Sequence, residues 1–293
     1  MGEQLKSRTF AILLITPSLL IITLMMIYPL IDTIYTSFTR FFLIDPTGGK
    51  TFIGLKNYIH LAKSGIFWIG FKNTLVYVGG TVFIEFLLGF SLALLLNEEI
   101  KYRGTLRGLF MLPWITPSVV VALLTRWLFN SHFGAVNAAL KGLGLIDSFK
   151  GWIIEPSLAM PTMLMATVWK MFPFMLVVLL AGLQTIPEEQ MEAARVDGAN
   201  AIQRFLHITL PNMREIIMIV TLLEFIWMFQ YITVIWATTK GGPIYATTTF
   251  PVLIYRAAFK DYNLGYAASM GVFWLGFLLL FCVFYVRVVG EKE

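Results

Sequence analysis

Residues 73–96 read NTLVYVGGTVFIEFLLGFSLALLL, an apolar run that contains one charged side chain, Glu85. A helix of about 20 apolar residues crosses the hydrocarbon core of a bilayer, so this run is long enough to span a membrane. Five other runs share its length and composition, and the six together predict spans at 10–34, 73–96, 108–129, 158–185, 215–236 and 264–286. Because the first run is too long for the core of a signal peptide, we interpret it as a retained span.

The overall composition supports a membrane protein. Of the 293 residues, 58% are hydrophobic and 13% are charged, and the mean hydropathy is +0.76. This balance excludes a disordered protein and a soluble enzyme. Continuous apolar runs, rather than short alternating segments, also exclude a transmembrane β-barrel. We therefore predict an all-α polytopic membrane protein with six transmembrane helices and a single transmembrane domain over residues 1–293.

Several classes of site are not predicted. The net charge is +5, but the basic residues are scattered through connecting segments, which does not suit nucleic-acid binding. Cys282 is the only cysteine and the three histidines lie in three different connecting segments, so the sequence predicts neither an internal disulfide nor a metal site. The segment GGKT at 48–51 lacks the first glycine of a P-loop. We predict that the chain is not an enzyme and has no cofactor of its own.

The positions of Lys and Arg predict that both termini lie on the cytoplasmic side. With that orientation the two sides carry equal numbers of basic residues, but those inside are concentrated in shorter connecting segments. The positive-inside rule gives most weight to short segments near the ends of spans.

The polar segment 185–214 lies between the fourth and fifth predicted spans and reads TIPEEQMEAARVDGANAIQRFLHITLPNMR. It predicts two short helices. Thr185 and Glu188 match a capping box at the start of the first helix, with Pro187 in its first turn. Gly198 is expected to end that helix, and Pro211 to end the second before the fifth span begins.

Two interpretations of the first short helix were weighed. An amphipathic helix resting on the lipid surface would carry a broad apolar face flanked by Lys and Arg. This helix is instead acidic and contains two adjacent small residues, Ala193 and Ala194. Small side chains allow another backbone to approach closely, so the sequence favours docking to a partner protein.

A family resemblance follows from this segment. The stretch EAARVDGANAIQRFLHITLP at 192–211 resembles the EAA motif of permease subunits in binding-protein-dependent ATP-binding-cassette importers. Residues 54–58, GLKNY, and 239–243, TKGGP, are similar to signatures of carbohydrate-uptake permeases, and the second is more similar to the maltose-permease-like first partner of the permease pair. Unlike the best-known maltose permease, the sequence shows neither additional N-terminal spans nor a large external domain.

The resemblance implies a cytoplasmic coupling loop in a prokaryotic inner membrane protein. Its partners would be a second permease subunit, two ATPase subunits that bind ATP and Mg, an extracytoplasmic solute-binding protein, a sugar and the lipid bilayer. Glu192 would reach a basic residue of an ATPase subunit, and the small residues would allow close packing. The predicted ATPase-coupling residues are Glu192, Ala193, Ala194, Arg195, Asp197 and Gly198.

Charged residues inside the predicted spans mark a second candidate site. A charge in the middle of a bilayer is costly unless it faces a partner or a wet cavity, and Lys170 and Glu224 lie in mid-span. Pro173, three residues after Lys170, predicts a break or kink in the fourth span. Glu85, in the second span, is expected to form an interhelical hydrogen bond.

One face of the fifth span suits a carbohydrate. Glu224, Trp227, Met228 and Tyr231 follow a helical spacing, so they share that face. In maltose-type permeases, which this chain resembles, the sugar lies midway across the membrane. The matching positions here are Thr167, Trp169, Lys170, Met171, Phe174, Glu224, Trp227, Met228 and Tyr231. Lys170, Met171, Glu224 and Met228 depart from that family's pattern, so the place of the cavity is implied more strongly than its substrate.

Some alternatives stay open from the sequence. Lys170 and Glu224 would either form an ion pair or both contact a sugar, and an unpaired Lys170 would favour an acidic or phosphorylated sugar. The implied function is import of a di- or oligosaccharide, or of a sugar or glycerol phosphate, by alternating access. The competing hypothesis is a stand-alone proton-coupled secondary transporter with Glu224 or Glu85 as its proton site, which leaves the segment 185–214 unexplained.

Overall fold

A computed structural model of the chain describes residues 2–45, 49–98 and 100–290. Almost all regular structure in these ranges is helical, as predicted. The chain divides into two units, which are described separately: Met1–Ser64 with Ile254–Gly276, and Gly65–Leu253 with Phe277–Glu293.

The first unit begins with a long helix. Its N-terminal elements are α1 (Gly2–Ile22), α2 (Tyr28–Ser37), β1 (Thr39–Arg40), β2 (Thr51–Phe52) and α3 (Lys56–Lys63). One π-helical turn, Thr23–Ile27, joins α1 to α2 just before Pro29. The two short strands pair antiparallel, with Thr39 opposite Phe52. Ile12–Ser37 is apolar and long enough to cross a membrane, which confirms the first predicted span.

The second unit contains three of the remaining long spans and part of the last one. Its helices are α4 (Gly65–Asn97), α5 (Arg103–Ile115), α6 (Ser118–Leu128), α7 (Ala135–Gly142), α8 (Pro156–Leu183), α9 (Glu188–Val196), α10 (Ala201–Arg204), α11 (Leu210–Gln230) and α12 (Thr233–Thr238). Two more helices, α13 (Phe250–Phe259) and α14 (Leu264–Gly290), begin in one unit and end in the other.

The third predicted span, 108–129, is broken. Helices α5 and α6 meet at 90°, so the six predicted spans correspond to five long apolar stretches and one bent pair. The break has a local cause, because Pro117 has no N–H to donate and its ring disfavours a helical conformation in the preceding residue. Thr116 is accordingly extended, with ψ at 128°.

Of the break or kink predicted at Pro173, a break does not occur. Helix α8 runs without interruption through that position, and it is the most buried of the five long spans. It packs most extensively against α4 and also against α5 and α11. Gly89 of α4 lies at a close approach to α8, since a Cβ added there would lie 2.9 Å from the Met175 side chain and 3.0 Å from Leu176 N. This enclosure by neighbouring helices overrides the helix-breaking tendency of one proline.

Candidate functional site

The predicted coupling residues lie together on α9 and the turn that follows it. Glu192, Ala193, Ala194 and Arg195 are on the helix, and Asp197 and Gly198 form its C-terminal end. None of the residues of α9 is buried, and Val196 is 88% exposed. A short helix that buries no side chain gains little stability from packing within its own chain, so the surface of α9 is open.

Backbone hydrogen bonds fix the end of α9. Gly198 has a φ of +78°, the left-handed conformation that glycine adopts without strain. The N–H of Ala199 donates to Ala194 O at 2.9 Å, and the N–H of Gly198 donates to Arg195 O at 3.1 Å. These two bonds form a Schellman motif. The predicted helix stop at Gly198 is therefore confirmed.

The predicted capping box at the start of α9 is wrong. The N-cap is Pro187, without a side-chain hydrogen bond, and Thr185 Oγ1 instead donates backwards to Gly182 O at 2.8 Å. A capping box exists one helix later, where Asn200 N donates to Gln203 Oε1 and Gln203 N donates to Asn200 Oδ1. Thr185 cannot cap α9 because it still belongs to the turn that ends α8, and α9 begins only after Pro187.

The second short helix does not end at Pro211. Helix α10 continues through the π-helical turn Phe205–Thr209 into α11, and the whole stretch Ala201–Thr238 is apolar enough to be one span. A wider π turn accommodates the missing N–H of Pro211 without ending the helix. Asn212 Nδ2 donates to Gln190 Oε1 at 3.0 Å, which ties α9 to the start of α11. We call α10, the π turn and α11 the coupling rod.

A second group of side chains gathers at the break between α5 and α6. Lys170 of α8 is 7% exposed, and its Nζ donates to Trp114 O at 3.1 Å and Thr116 O at 2.8 Å. These carbonyls lie at the C-terminal end of α5, where the helix leaves carbonyls without helical donors and favours a positive charge. Lys170 is therefore not paired with Glu224, which decides one of the open alternatives.

Three aromatic rings form a surface beside Lys170. Phe174 lies 4.7 Å from Trp227 and 6.4 Å from Trp114 between ring centroids. The two indoles stay 42% and 40% exposed in the chain. Such partly open ring faces can stack on the C–H face of a sugar. We call Trp114, Phe174 and Trp227 the aromatic triad.

Hydroxyl groups extend this region. Tyr231, at the C-cap of α11, donates its hydroxyl to Ser118 Oγ at 3.0 Å, so α11 meets the first residue of α6 at the break. Thr167 is fully buried and shares a hydrogen bond of 2.6 Å with the hydroxyl of Tyr77. Lys170, Phe174, Trp227 and Tyr231 thus come together around the break, and Thr167 lies one turn from Lys170 on α8.

Four other predicted positions lie elsewhere. Trp169 lines a cavity of ≈ 320 Å³ together with side chains of α6 and α7. Met228 and Met171 are buried in the helix packing, at 1% and 9% exposure. Glu224 is fully buried. Within the part of the chain that the structure describes, none of these four forms a hydrogen bond or a ring contact with the aromatic triad.

The predicted interhelical hydrogen bond of Glu85 is wrong. Both of its carboxyl oxygens are buried without a hydrogen-bond partner among the described residues, and the same holds for Glu224. Helices α4 and α11 carry these two glutamates and pack against each other.

A known protein family matches most of the chain. Residues 85–290 match the family described as binding-protein-dependent transport system inner membrane component. The chain belongs to this family. It is thus a multi-pass inner membrane permease component of a transport system rather than a catalytic enzyme, and membership does not favour a stand-alone secondary transporter.

Individual relatives extend the similarity over the whole permease. The trehalose/maltose transport system permease protein MalF of Thermococcus litoralis is 36% identical over 279 residues, which cover 94% of this chain and 92% of the relative. The sulfoquinovosyl glycerol transport system permease protein SmoG of Agrobacterium fabrum is 33% identical over 294 residues, covering 99% and 93%. Both names confirm the predicted resemblance to sugar permeases of ATP-binding-cassette systems.

The fold has a counterpart among solved structures. The crystal structure of a bacterial alginate ABC transporter in complex with an alginate pentasaccharide-bound periplasmic protein contains a chain that matches all of this permease and 99% of its own length, with a TM-score of 0.82 and 22% identity. This similarity confirms the predicted all-α permease fold.

Sequence reasoning missed the residues at the break. Trp114, Thr116 and Ser118 accompany Lys170 and Tyr231, although no motif singled them out. The signal was present in the run LPWITPS at 112–118, which places two prolines four residues apart inside an apolar span. Prolines at that spacing remove two backbone donors from one turn and predict an interruption.

Proposed function

We propose that this permease is the transmembrane subunit of an ATP-driven importer that carries a sugar across the inner membrane by alternating access. The sugar would be delivered by an extracytoplasmic solute-binding protein. The observation that carries this proposal is the aromatic triad, which lies beside hydrogen-bonding groups. Two of its rings, Phe174 and Trp227, are on α8 and α11, the helices that flank the segment 185–214. The named relatives act in transport systems for trehalose/maltose and sulfoquinovosyl glycerol, which supports a carbohydrate.

The region around the break favours a neutral di- or oligosaccharide over a sugar phosphate or glycerol phosphate. Ring faces stack on sugar C–H groups, and the Tyr231 and Ser118 hydroxyls offer donors and acceptors for sugar hydroxyls. The Lys170 ammonium already donates to two carbonyls, which leaves it less available to a phosphate. Of the predicted binding positions, Thr167, Lys170, Phe174, Trp227 and Tyr231 are the ones that the fold gathers here, and Trp169, Glu224 and Met228 stay as more distant candidates.

Helix α9 would dock on an ATPase subunit in the cytoplasm. Its exposed acidic face and small residues suit insertion into a cleft, with Glu192 reaching a basic residue and Ala193, Ala194 and Gly198 allowing close approach. Arg195 and Asp197 would add polar contacts. ATP and Mg would be bound by two such ATPase subunits, and a second permease would complete the path.

This docking implies an orientation and a mechanism. With 185–214 in the cytoplasm and six crossings, both termini would be cytoplasmic. Closure of the ATPase subunits would pull α9, and the coupling rod would carry that movement to Tyr231, whose hydroxyl contacts Ser118 at the break. The aromatic triad would then open towards the docked binding protein.

The proposal is tested by reconstituting the permease with the products of its neighbouring genes in proteoliposomes. Sugar-loaded binding protein outside, with ATP inside, should drive uptake of a neutral disaccharide such as maltose or trehalose, and unloaded binding protein should not. Uptake that follows a proton gradient and ignores ATP would contradict the importer. Uptake restricted to phosphorylated sugars would keep the importer but contradict the assigned substrate class.

A further inference from the structure

Two glutamates inside the spans lack any polar partner. Glu85 on α4 and Glu224 on α11 are both 0% exposed, where these helices pack. None of the four carboxyl oxygens has a hydrogen-bond partner among the described residues, and Thr81 Oγ1 also has none. Thr81 lies one turn before Glu85 on the same face of α4 and is fully buried. Three unpartnered polar groups thus occur on facing helices.

No cation among the described residues forms a hydrogen bond with either glutamate. Lys170 of α8 is engaged by the carbonyls at the helix break, and Arg126 is exposed at the end of α6. Three titratable groups interact electrostatically with Glu85: the Glu224 carboxyl and the phenols of Tyr77 and Tyr231. Both phenol hydroxyls already bond neutral hydroxyls, those of Thr167 and Ser118.

Burial without a polar partner disfavours a negative charge on Glu85 and Glu224. An isolated carboxylate costs far more to bury than a neutral carboxylic acid, and two neighbouring carboxylates repel each other. A neutral carboxyl group carries one donor and retains acceptors, so two of them can satisfy each other through one buried water. We propose that Glu85 and Glu224 form a neutral carboxyl pair that retains its protons inside the membrane and joins α4 to α11.

One member of the carboxyl pair lies on the coupling rod. Glu224 is on α11, which continues from the turn after α9, and Glu85 is on the helix that packs most closely on α8. The neutral pair therefore fixes the rod against the central helices of the second unit. Its protons are structural and are not exchanged during transport, which separates this inference from a proton-coupled transporter and makes it independent of the solute.

Stability should fall as the pH rises. In the unfolded chain both carboxyl groups are in water and ionise at ordinary acidic pH, whereas the folded pair holds its protons. Raising the pH favours the state that has released protons, so it favours unfolding.

The direct test is infrared spectroscopy of the full-length permease in lipid nanodiscs. The variant carries Glu85→Gln and Glu224→Gln together, and the control is Glu215→Gln, an exposed glutamate on the same helix α11. We expect the wild type at neutral pH to show the carbonyl band of buried protonated carboxyl groups, and the double variant to lose it. The control should keep the band. The proposal would be overturned if the wild type showed no acid band and the double variant lost carboxylate signal instead.

Thermal unfolding provides the second measurement. From about pH 6 to about pH 9 the melting temperature of the wild type should fall by several degrees more than that of the double variant, with Glu215→Gln following the wild type. Equal slopes in all three proteins would overturn the proposal. If the double variant does not fold, each single variant, Glu85→Gln or Glu224→Gln, should remove part of the acid band, and an unchanged band in both would also overturn it.

Discussion

Helix α9 and the region around the α5–α6 break are built in opposite ways. The six residues predicted for coupling follow one another along a single exposed helix and its C-cap. The residues around the break come from α5, α6, α8 and α11, and several already hold one another through hydrogen bonds and ring contacts. The first region therefore leaves its surface open, while the second depends on the internal geometry of the permease.

The largest effect is expected at the exposed helix. Glu192→Lys should lower sugar-stimulated ATP hydrolysis and uptake by roughly a hundredfold or more, because it reverses a charge that we place in an interface. The protein should still insert and fold, since Glu192 is exposed. Glu189→Lys, on the first turn of the same helix, is the matched control and should retain most activity. Normal uptake by the Glu192 variant would remove this helix from the interface.

A substitution at the α5–α6 break, at Lys170, should instead lower the stability of the folded permease. Lys170→Met leaves the carbonyls of Trp114 and Thr116 without their charged donor, at a cost of about 2–3 kcal/mol in unfolding free energy. For a chain of this size that corresponds to a melting temperature lower by roughly 4–10 °C.

Lys72→Met, an exposed lysine on α4, serves as the control for this change. It should shift the melting temperature little. If both variants melted at the wild-type temperature, Lys170 would not hold the break.

The aromatic triad should affect binding more than assembly. Trp227→Ala removes a ring that lies 4.7 Å from Phe174, and we expect the apparent KM for the sugar to rise about five- to tenfold with little change in the maximal rate. Trp127→Ala, a comparably exposed tryptophan on α6, should leave the uptake curve unchanged. Identical curves for both variants and the wild type would place the sugar elsewhere.

The smallest effect concerns one hydrogen bond. Tyr231→Phe and Ser118→Ala each remove the bond that links α11 to the break, and each should cost about 1 kcal/mol of stability. The double variant should cost little more than either alone, because both changes remove the same interaction. Fully additive losses in thermal unfolding would show that the two hydroxyls act separately.

The same comparison explains which features the sequence could predict. The spans, the Gly198 stop and the coupling segment depend on local composition and on one contiguous motif, so they could be read directly. The break at Pro117 has a local cause that the run LPWITPS already contained, whereas the continuity at Pro173 depends on how neighbouring helices enclose α8, which local sequence does not contain. For the same reason the partners of Lys170 were not predicted, since its acceptors are backbone carbonyls 54 and 56 residues away.

Glu85 and Glu224 illustrate a further limit of prediction from the sequence. Helical spacing placed Glu224 on one face with Trp227 and Tyr231, but the packing of α4 against α11 buries this carboxyl group opposite another helix. A spacing rule identifies residues that share a face, and the rotation of the helix decides what that face meets.

The central claim, that α9 docks on an ATPase subunit, is tested most directly by photocrosslinking in intact membranes. A photoreactive amino acid at Val196, which is 88% exposed on α9, should give one covalent product with the mass of the permease plus one ATPase subunit. The same probe at Leu206, which is 50% exposed on the coupling rod, should give far less of that product. Equal yields from both positions, or no ATPase adduct from Val196, would contradict the account.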